Sequence, residues 1–153
     1  MNTTDFSAIL LHSGAEMGFE GLCLDEENAC TLMIRETLIT MIWFRATDSL
    51  LMYAPLGELP PELEDWRLYR AMLEMDMQSR GKLCVPGLDT ATRLVTLGAA
   101  LPGHALTPAS LCAYLDMFGQ EAATQKALFD ELLEAYTPWS EVAEPVVGAV
   151  VRA

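Results

Sequence analysis

The chain has 153 residues, of which 52% are hydrophobic and 20% charged, a composition that fits one folded domain and excludes a disordered chain. Nine Lys and Arg against 22 Asp and Glu give a net charge of −13, which disfavours binding to nucleic acid or anionic lipid and favours basic or apolar partners. No apolar run approaches the roughly 18 residues of a membrane span, and the first residues do not resemble a signal peptide, so we expect a cytoplasmic protein.

The first predicted helix begins at Thr4, whose hydroxyl caps it, and ends at Gly18, with Phe19 folding back in a Schellman-like end. Three strands follow, and the short turns between them predict an antiparallel meander. Both faces of these strands are largely apolar, whereas a sheet with one wet face alternates more cleanly. We therefore expect the second face of the sheet to be covered. The three strands are predicted over residues 30–35, 38–45 and 50–56.

The second predicted helix runs from about Glu62 to Arg80 and carries two apolar stripes. A helix that is covered on one side needs only one stripe, so we assign the first stripe to the sheet and the second to another subunit. The first stripe consists of Leu63, Trp66, Leu73 and Met77. The predicted dimer interface consists of Leu68, Met72 and Met75, with Tyr69 beside them.

Two more strands are predicted over residues 82–85 and 93–101, joined by a turn at 86–89. A last helix begins at Thr107, where an N-cap residue precedes a proline, and Gly119 is expected to weaken or kink it. The fold class is therefore α+β, in the order helix, three strands, helix, two strands, helix, with an antiparallel twisted sheet packed against helices. We expect residues 1–137 to form a single domain and residues 138–153 an apolar C-terminal tail.

The four cysteines lie among apolar neighbours, and no two of them form a CxxC pair. The usual zinc and thioredoxin spacings are therefore absent. We expect buried, reduced thiols at Cys23, Cys30, Cys84 and Cys112.

No spacing in the sequence indicates catalysis. The GxSxG, P-loop and HExxH patterns are absent, and the acidic clusters fall on predicted helix surfaces, where charge is usually solvated. His12 and Glu16 form an i, i+4 pair without a third metal ligand, and His104 falls in a predicted exposed turn. We therefore expect no enzymatic activity, no cofactor and no metal site.

Two stretches carry a resemblance to a known family. Residues 24–34 (LDEENACTLMI) lead from an acidic turn into the first strand, and residues 51–60 (LMYAPLGELP) lead from the third strand towards the second predicted helix. Together with the acidic composition and the order of elements, they resemble the class I type III secretion chaperones, the Tir-chaperone-like proteins. The resemblance extends to about Tyr136. The chain departs from the family pattern at Gly81, where relatives often carry an Asn nearby, and in the apolar tail from Pro145.

The resemblance implies a homodimer that performs no chemistry and binds an N-terminal segment of one or more effectors in extended form. Such a chaperone keeps its cargo stable and secretion-competent and delivers it to the export ATPase. Two alternatives remain at this stage, a small α+β ligand-binding or enzymatic domain and a regulatory adaptor that binds a folded protein.

Apolar residues outside the main stripes predict where the cargo binds. They suggest a groove for the leucines or isoleucines of an extended segment, with strand addition at a free sheet edge and attraction of basic cargo residues by nearby acids. The alternative is that these residues belong to an ordinary core. The predicted groove residues are Leu11, Leu22, Leu24, Met33 and Met41.

Overall fold

The computed structural model describes residues 3–60, 72–74 and 84–136. These residues form two long helices and five strands, and the α+β class predicted from the sequence is confirmed. The elements are α1 (Thr3–Glu16), β1 (Ala29–Ile34), β2 (Thr37–Phe44), β3 (Ser49–Glu58), β4 (Cys84–Asp89), β5 (Leu94–Pro102), a 3₁₀ turn (Gly103–Ala105) and α2 (Pro108–Tyr136). Residues 72–74 are helical and belong to the second predicted helix, whose other residues lie outside the described ranges.

The five strands form one antiparallel sheet in the order β1-β2-β3-β5-β4, so β1 and β4 are its edge strands. The predicted meander of β1, β2 and β3 is confirmed. Arg35 and Glu36 alone join β1 to β2, with φ angles of 48° and 65°. This left-handed pair is the geometry of a type I′ hairpin, and it fixes the register of the two strands.

Strand β4 extends further than the sequence predicted. Residues 86–89 were expected to form a turn because they begin with Pro86 and Gly87, but they pair with β5. The turn lies at residues 90–93, where the Asp89 carboxylate accepts hydrogen bonds from the Ala91 amide at 2.9 Å and the Thr92 hydroxyl at 2.7 Å. These two hydrogen bonds lower the pKa of Asp89.

Helices α1 and α2 pack together on one face of the sheet. The Phe6 ring of α1 stacks on Trp43 of β2 with ring centroids 4.7 Å apart. The Ser13 hydroxyl of α1 donates a hydrogen bond to the Pro108 carbonyl at 3.1 Å and thereby joins the two helices. Alternate residues of each central strand are buried under these helices, so the core lies on this face.

Helix α2 continues through Gly119, where the sequence predicted a weakening or a kink. The glycine serves close packing, because a β-carbon there would lie 3.1 Å from Cγ2 of Ile34. Further along, Phe129 packs against Gly57 of β3, where a β-carbon would lie 2.5 Å from the ring. The predicted N-cap is confirmed by a hydrogen bond from the Ser110 amide to the Thr107 hydroxyl at 3.1 Å.

The opposite face of the sheet remains partly open in the described part of the chain. Met33, Leu38, Phe44 and Val85 are all exposed, and the alternate positions of the central strands are half-buried. The prediction that this second face is covered therefore stays a prediction.

Candidate functional site

An open groove of about 580 Å³ lies between edge strand β1 and the loop that leaves α1. Its apolar lining comes from Phe19 and Leu22 of the loop and from Leu32 and Met33 of the strand. Glu20 and Asp25 of the loop carry negative charge along the same groove. The groove therefore offers both apolar side chains and negatively charged groups to a guest chain.

The loop wall is fixed first at the end of α1. The Phe19 amide donates to the Gly14 carbonyl at 2.8 Å, and Gly18 has a φ of 81°, which confirms the predicted Schellman-like end. Leu22 packs against Gly14 so closely that a β-carbon there would lie 2.8 Å from its Cδ1 atom. These contacts hold Phe19 and Leu22 in the groove wall.

The loop is fixed again where it enters β1. The Asp25 amide donates to the Ala29 carbonyl at 2.8 Å, and the Asp25 carboxylate accepts from the amides of Ala29 at 2.8 Å and Glu27 at 2.9 Å. Asn28 adopts a left-handed conformation with φ of 60°, which suits asparagine and closes the turn. Because both ends of the loop are anchored, the groove is preformed.

The register of β1 and β2 determines which backbone groups face the groove. The residues that flank a two-residue hairpin turn, Ile34 and Thr37, form a hydrogen-bonded pair, and such pairs recur at every second position. Leu32 and Cys30 therefore direct their amides and carbonyls towards β2. Those of Thr31 and Met33 point away from the sheet, and neither residue forms a backbone hydrogen bond outside the ladder within the described ranges.

A family model, that of the Tir chaperone protein (CesT) family, matches residues 8–126 of the chain. The chain belongs to this family. It is therefore a type III secretion chaperone, as the resemblance in the sequence implied. The match includes most of α1, the whole sheet and the greater part of α2, so it covers both walls of the groove.

Solved structures share the fold of the chaperone. It resembles a chain of the ExsC-ExsE complex with a TM-score of 0.66 and 20% identity, over 86% of this chain and 95% of that chain. It resembles a chain of the HopA1-SchA chaperone-effector complex with a TM-score of 0.63 and 16% identity, over 82% and 92% of the two chains. The Yersinia pestis type III secretion chaperone SycH, solved with a fragment of YscM2, gives a TM-score of 0.58 and 19% identity over 78% and 98%. No curated protein sequence matches the chaperone significantly.

The structure brings Leu22 and Met33, two of the predicted groove residues, into the groove. Met33 is 55% exposed. Leu24 is half-buried and packs against the core. Leu11 is 54% exposed and lines a neighbouring hollow, which shares residues 18–21 with the groove.

The prediction that Met41 belongs to the groove is wrong. Met41 is fully buried under the helices, whereas Met33 lies on the open face. The hairpin turn pairs Met41 with Cys30 and pairs Met33 with Leu38, so the two methionines point to opposite faces. Side chains alternate between the two faces of a strand, and β2 carries apolar residues on both faces. The sequence therefore does not indicate which face, and so which methionine, is buried.

Sequence reasoning missed most of the residues that line the groove, among them Phe19, Cys23 and Thr31. The predicted helix end at Gly18 contained the signal for Phe19, because a Schellman-like end directs the following residue back against the helix. Cys23 is exposed, so the prediction of a buried thiol is wrong at this position. Thr31 contributes its backbone amide and carbonyl. Every non-proline residue has these groups, so the residue type gives no indication of the site.

The other cysteines are free and lie deeper. Cys30 and Cys84 are buried, and Cys112 is half-buried. Burial raises the pKa of the Cys30 thiol, and the nearby Cys23 thiol and Asp25 carboxylate raise this pKa further. Cys30 is therefore a poor nucleophile.

The two histidines lie on separate elements, His12 on α1 and His104 in the 3₁₀ turn. His12 Nε2 lies 3.3 Å from Glu16 Oε1 in an exposed i, i+4 pair on α1, and His104 is exposed, as predicted. In the described ranges, no group of three His, Cys, Asp or Glu side chains is placed to hold a metal ion. The helices in those ranges are also too short or too polar to cross a membrane.

Of the predicted dimer residues, Leu68, Tyr69 and Met75 lie outside the described ranges. Met72 is half-buried and packs against the core, while Leu73 is 66% exposed. The assignment of Leu73 to the stripe that covers the sheet is therefore wrong. The predicted dimer interface itself stays a prediction.

Proposed function

We propose that the chaperone captures an extended N-terminal segment of an effector as an added strand on the β1 edge. The observation that carries this proposal is the row of backbone groups on Thr31 and Met33 that faces an apolar, preformed groove. The HopA1-SchA structure is a chaperone-effector complex, which supports an effector as the cargo.

Backbone pairing provides affinity that does not depend on the cargo sequence. Thr31 and Met33 together offer two amide donors and two carbonyl acceptors, and each hydrogen bond contributes about 0.5–1.5 kcal/mol net. A strand is the backbone conformation that satisfies all four groups at once. Backbone pairing of this kind would let one groove accept effector segments of different sequence.

Apolar side chains provide the preference for particular segments. Alternate residues of an added strand point to opposite faces of the sheet, so cargo residues on one side meet Met33 and those on the other side meet Phe19 and Leu22. Burial of apolar surface contributes roughly 25 cal/mol per Å², which favours leucine, isoleucine or valine at those positions. Glu20 and Asp25 in the groove lining favour basic cargo residues beside them, with an attraction that salt weakens.

We further propose that the chaperone works as a cytoplasmic homodimer, in which residues 1–137 form one domain. Leu73 and Val85 support this, because both are large apolar residues that are more than half exposed in one subunit. Obligate dimer interfaces are as apolar as a domain core. Delivery of the cargo to the export ATPase, without any chemical step by the chaperone, completes the proposal. Sedimentation at micromolar concentration tests the dimer, and a monomer would contradict it.

Paired substitutions of Thr31 test strand addition in the full chain. Thr31→Pro removes the outward amide and blocks pairing, whereas Thr31→Val keeps that amide and loses only the hydroxyl contact to Thr40 at 3.0 Å. Both variants are co-expressed with candidate effectors from the same genome, and the captured effector is measured. We expect Thr31→Pro to weaken effector binding at least tenfold, which corresponds to a loss of about 1.4 kcal/mol in binding free energy. Thr31→Val should bind effector as tightly as the unchanged chain.

Melting temperature is the folding control for both variants, and we expect both to stay folded because Thr31 is an exposed edge residue. Equal capture by the two variants would show that no strand is added at β1. Failure of the unchanged chaperone to bind the N-terminal region of any candidate effector would contradict the chaperone assignment itself.

A further inference from the structure

The outward row of backbone groups on β1 is closed at one end by the loop that leads into the strand. The Asp25 amide donates to the Ala29 carbonyl at 2.8 Å, and the Ala29 amide donates to the Asp25 carboxylate at 2.8 Å. Both backbone groups of Ala29 therefore have a partner within the chain. Thr31 and Met33, the next two outward residues, have no such partner within the described ranges.

The direction of the Asn28 carbonyl places Ala29 in this outward row. That carbonyl accepts a hydrogen bond from the Trp43 amide of β2 at 2.9 Å, so Asn28 faces the inner strand. Backbone groups alternate in direction along an antiparallel edge strand, so Ala29 faces outward together with Thr31 and Met33. Asp25 therefore lies beside Ala29 where a residue of an added strand would otherwise lie.

We infer that Asp25 is an end stop, which limits a guest strand to Thr31 and Met33 and thereby fixes its register on β1. The hairpin turn limits the guest strand at the other end, because β1 ends at Ile34 and the turn begins at Arg35. The inference rests on the proposed function, since it assigns the register of the same guest strand. Asp25 is a positioning residue, which acts through the backbone groups of Ala29.

A fixed register defines the class of cargo segment. The guest residue opposite Leu32 points to the same face of the sheet as Leu32, which is 6% exposed and lies under the helices. Phe19 and Leu22 line the groove and pack against the core on this side. The guest residues before and after it point to the open face, beside Thr31 and Met33. The groove therefore selects a short extended segment in which a large apolar residue lies between two less restricted residues.

The groups that close the edge can be removed separately from the charge of Asp25. Its carboxylate accepts hydrogen bonds from the amides of Ala29 and Glu27. Asn has the same length and keeps a side-chain oxygen as acceptor, so Asp25→Asn removes the charge and retains the stop. Asp25→Pro removes both the carboxylate and the amide that donates to Ala29. The two variants are therefore a matched pair.

Backbone N-methylation of a guest peptide tests the register, because it removes one amide donor at a time. The probe is a synthetic peptide in which threonine and lysine alternate around one central leucine, since threonine favours strands and lysine is attracted by the acidic groove. Its binding to the isotope-labelled full chain is followed by NMR titration. Thr31 and Met33 offer two carbonyl acceptors, so two guest amides donate to them in either strand direction. We expect N-methylation to weaken binding about tenfold at two positions, two residues apart, and to change it little elsewhere.

The Asp25 variants test the residue assigned as the stop. Asp25→Pro should add a third sensitive position to the peptide, because Ala29 then becomes available to the guest, whereas Asp25→Asn should keep two. A purely structural role of Asp25 would lower the melting temperature or the affinity without changing the number of sensitive positions. Amide exchange in the free, unchanged chain requires no variant to fold, and we expect the Ala29 amide to exchange about tenfold more slowly than those of Thr31 and Met33.

Three sensitive positions with the unchanged chain would overturn the inference, as would two positions with a folded Asp25→Pro chain or an Ala29 amide that exchanges as fast as that of Thr31. Failure of the probe to bind the unchanged chain would overturn the assigned class of cargo. Binding without any sensitive position would contradict strand addition, and with it both the proposed function and the end stop. Loss of capture by Thr31→Pro together with three sensitive positions would leave cargo binding at β1 intact and remove only the end stop.

Discussion

The two edge strands of the sheet are similar in length but differ in what they offer a guest chain. Along β1, Thr31 and Met33 present complete amide and carbonyl pairs to a groove that the loop after α1 lines with apolar side chains. Along β4, Pro86 interrupts the row of donors. Proteins commonly protect edges with proline, so the unprotected edge beside the groove supports the proposed binding site at β1.

Substitutions at the β1 edge should separate effects on cargo binding from effects on folding. Both edges belong to one antiparallel sheet, and both pair regularly with their inner neighbours. The outward groups of β1 therefore contribute little to the stability of the fold, and changes there should affect cargo more than folding.

The largest expected effect comes from introducing a charge on the buried face of the sheet rather than on its open face. Met41→Asp places a carboxylate in the fully buried core, so we expect it to reduce the free energy of unfolding by about 4 kcal/mol or more. Met33→Asp adds the same charge at an exposed edge, where we expect a change within about 0.5 kcal/mol. Urea denaturation followed by circular dichroism measures both.

Met33→Asp should nevertheless weaken effector capture, because it places a charge in the groove. Met117→Asp, at an exposed methionine on α2, is the matched control and should leave capture unchanged. Equal destabilisation by Met33→Asp and Met41→Asp would show that both methionines belong to the core.

A smaller effect is expected when the protection of β4 is removed. Pro86→Val restores the missing amide and provides a residue with high strand propensity. We expect the free energy of unfolding to change by less than about 1 kcal/mol, while self-association increases because a second edge becomes able to pair. Light scattering over a concentration series measures this. An unchanged mass distribution would mean that Pro86 does not protect the edge.

The smallest effect concerns the turn that follows β4. Its two hydrogen bonds lower the pKa of Asp89 below the ordinary value of 3.8, so they stabilise the fold when the carboxylate is charged. This stability is present above pH 3.8 and is lost as the pH falls through the lower pKa of the folded state. We expect Asp89→Asn to be slightly less stable than the unchanged chain at pH 7 and equally stable in acid. A difference that persists in strong acid would contradict this origin.

Much of the fold was predictable from sequence because local signals agreed. The Gly18 helix end, the Thr107 cap and the short turn at Arg35 each have a local physical cause, and the structure confirms all three. Strand β4 was predicted too short, because Pro86 and Gly87 are typical of turns and only the pairing with β5 makes them part of a strand.

The candidate site was less predictable because it depends on register and exposure. Leu22 and Met33 line the groove, and their role in cargo binding stays a prediction; the choice between Met33 and Met41 required knowledge of which face the helices cover. The backbone groups of Thr31 have no sequence signal at all, since every non-proline residue has them. They become a site only when β1 is known to be the edge.

Isotope-edited nuclear Overhauser spectroscopy of the labelled chaperone bound to unlabelled effector segment tests strand addition most directly. Strand addition predicts short-range contacts between α protons of the cargo and the amide protons of Thr31 and Met33, because paired antiparallel strands bring these protons together. Contacts from the cargo only to β4 or to the open face of the sheet, with none to Thr31 or Met33, would contradict the account.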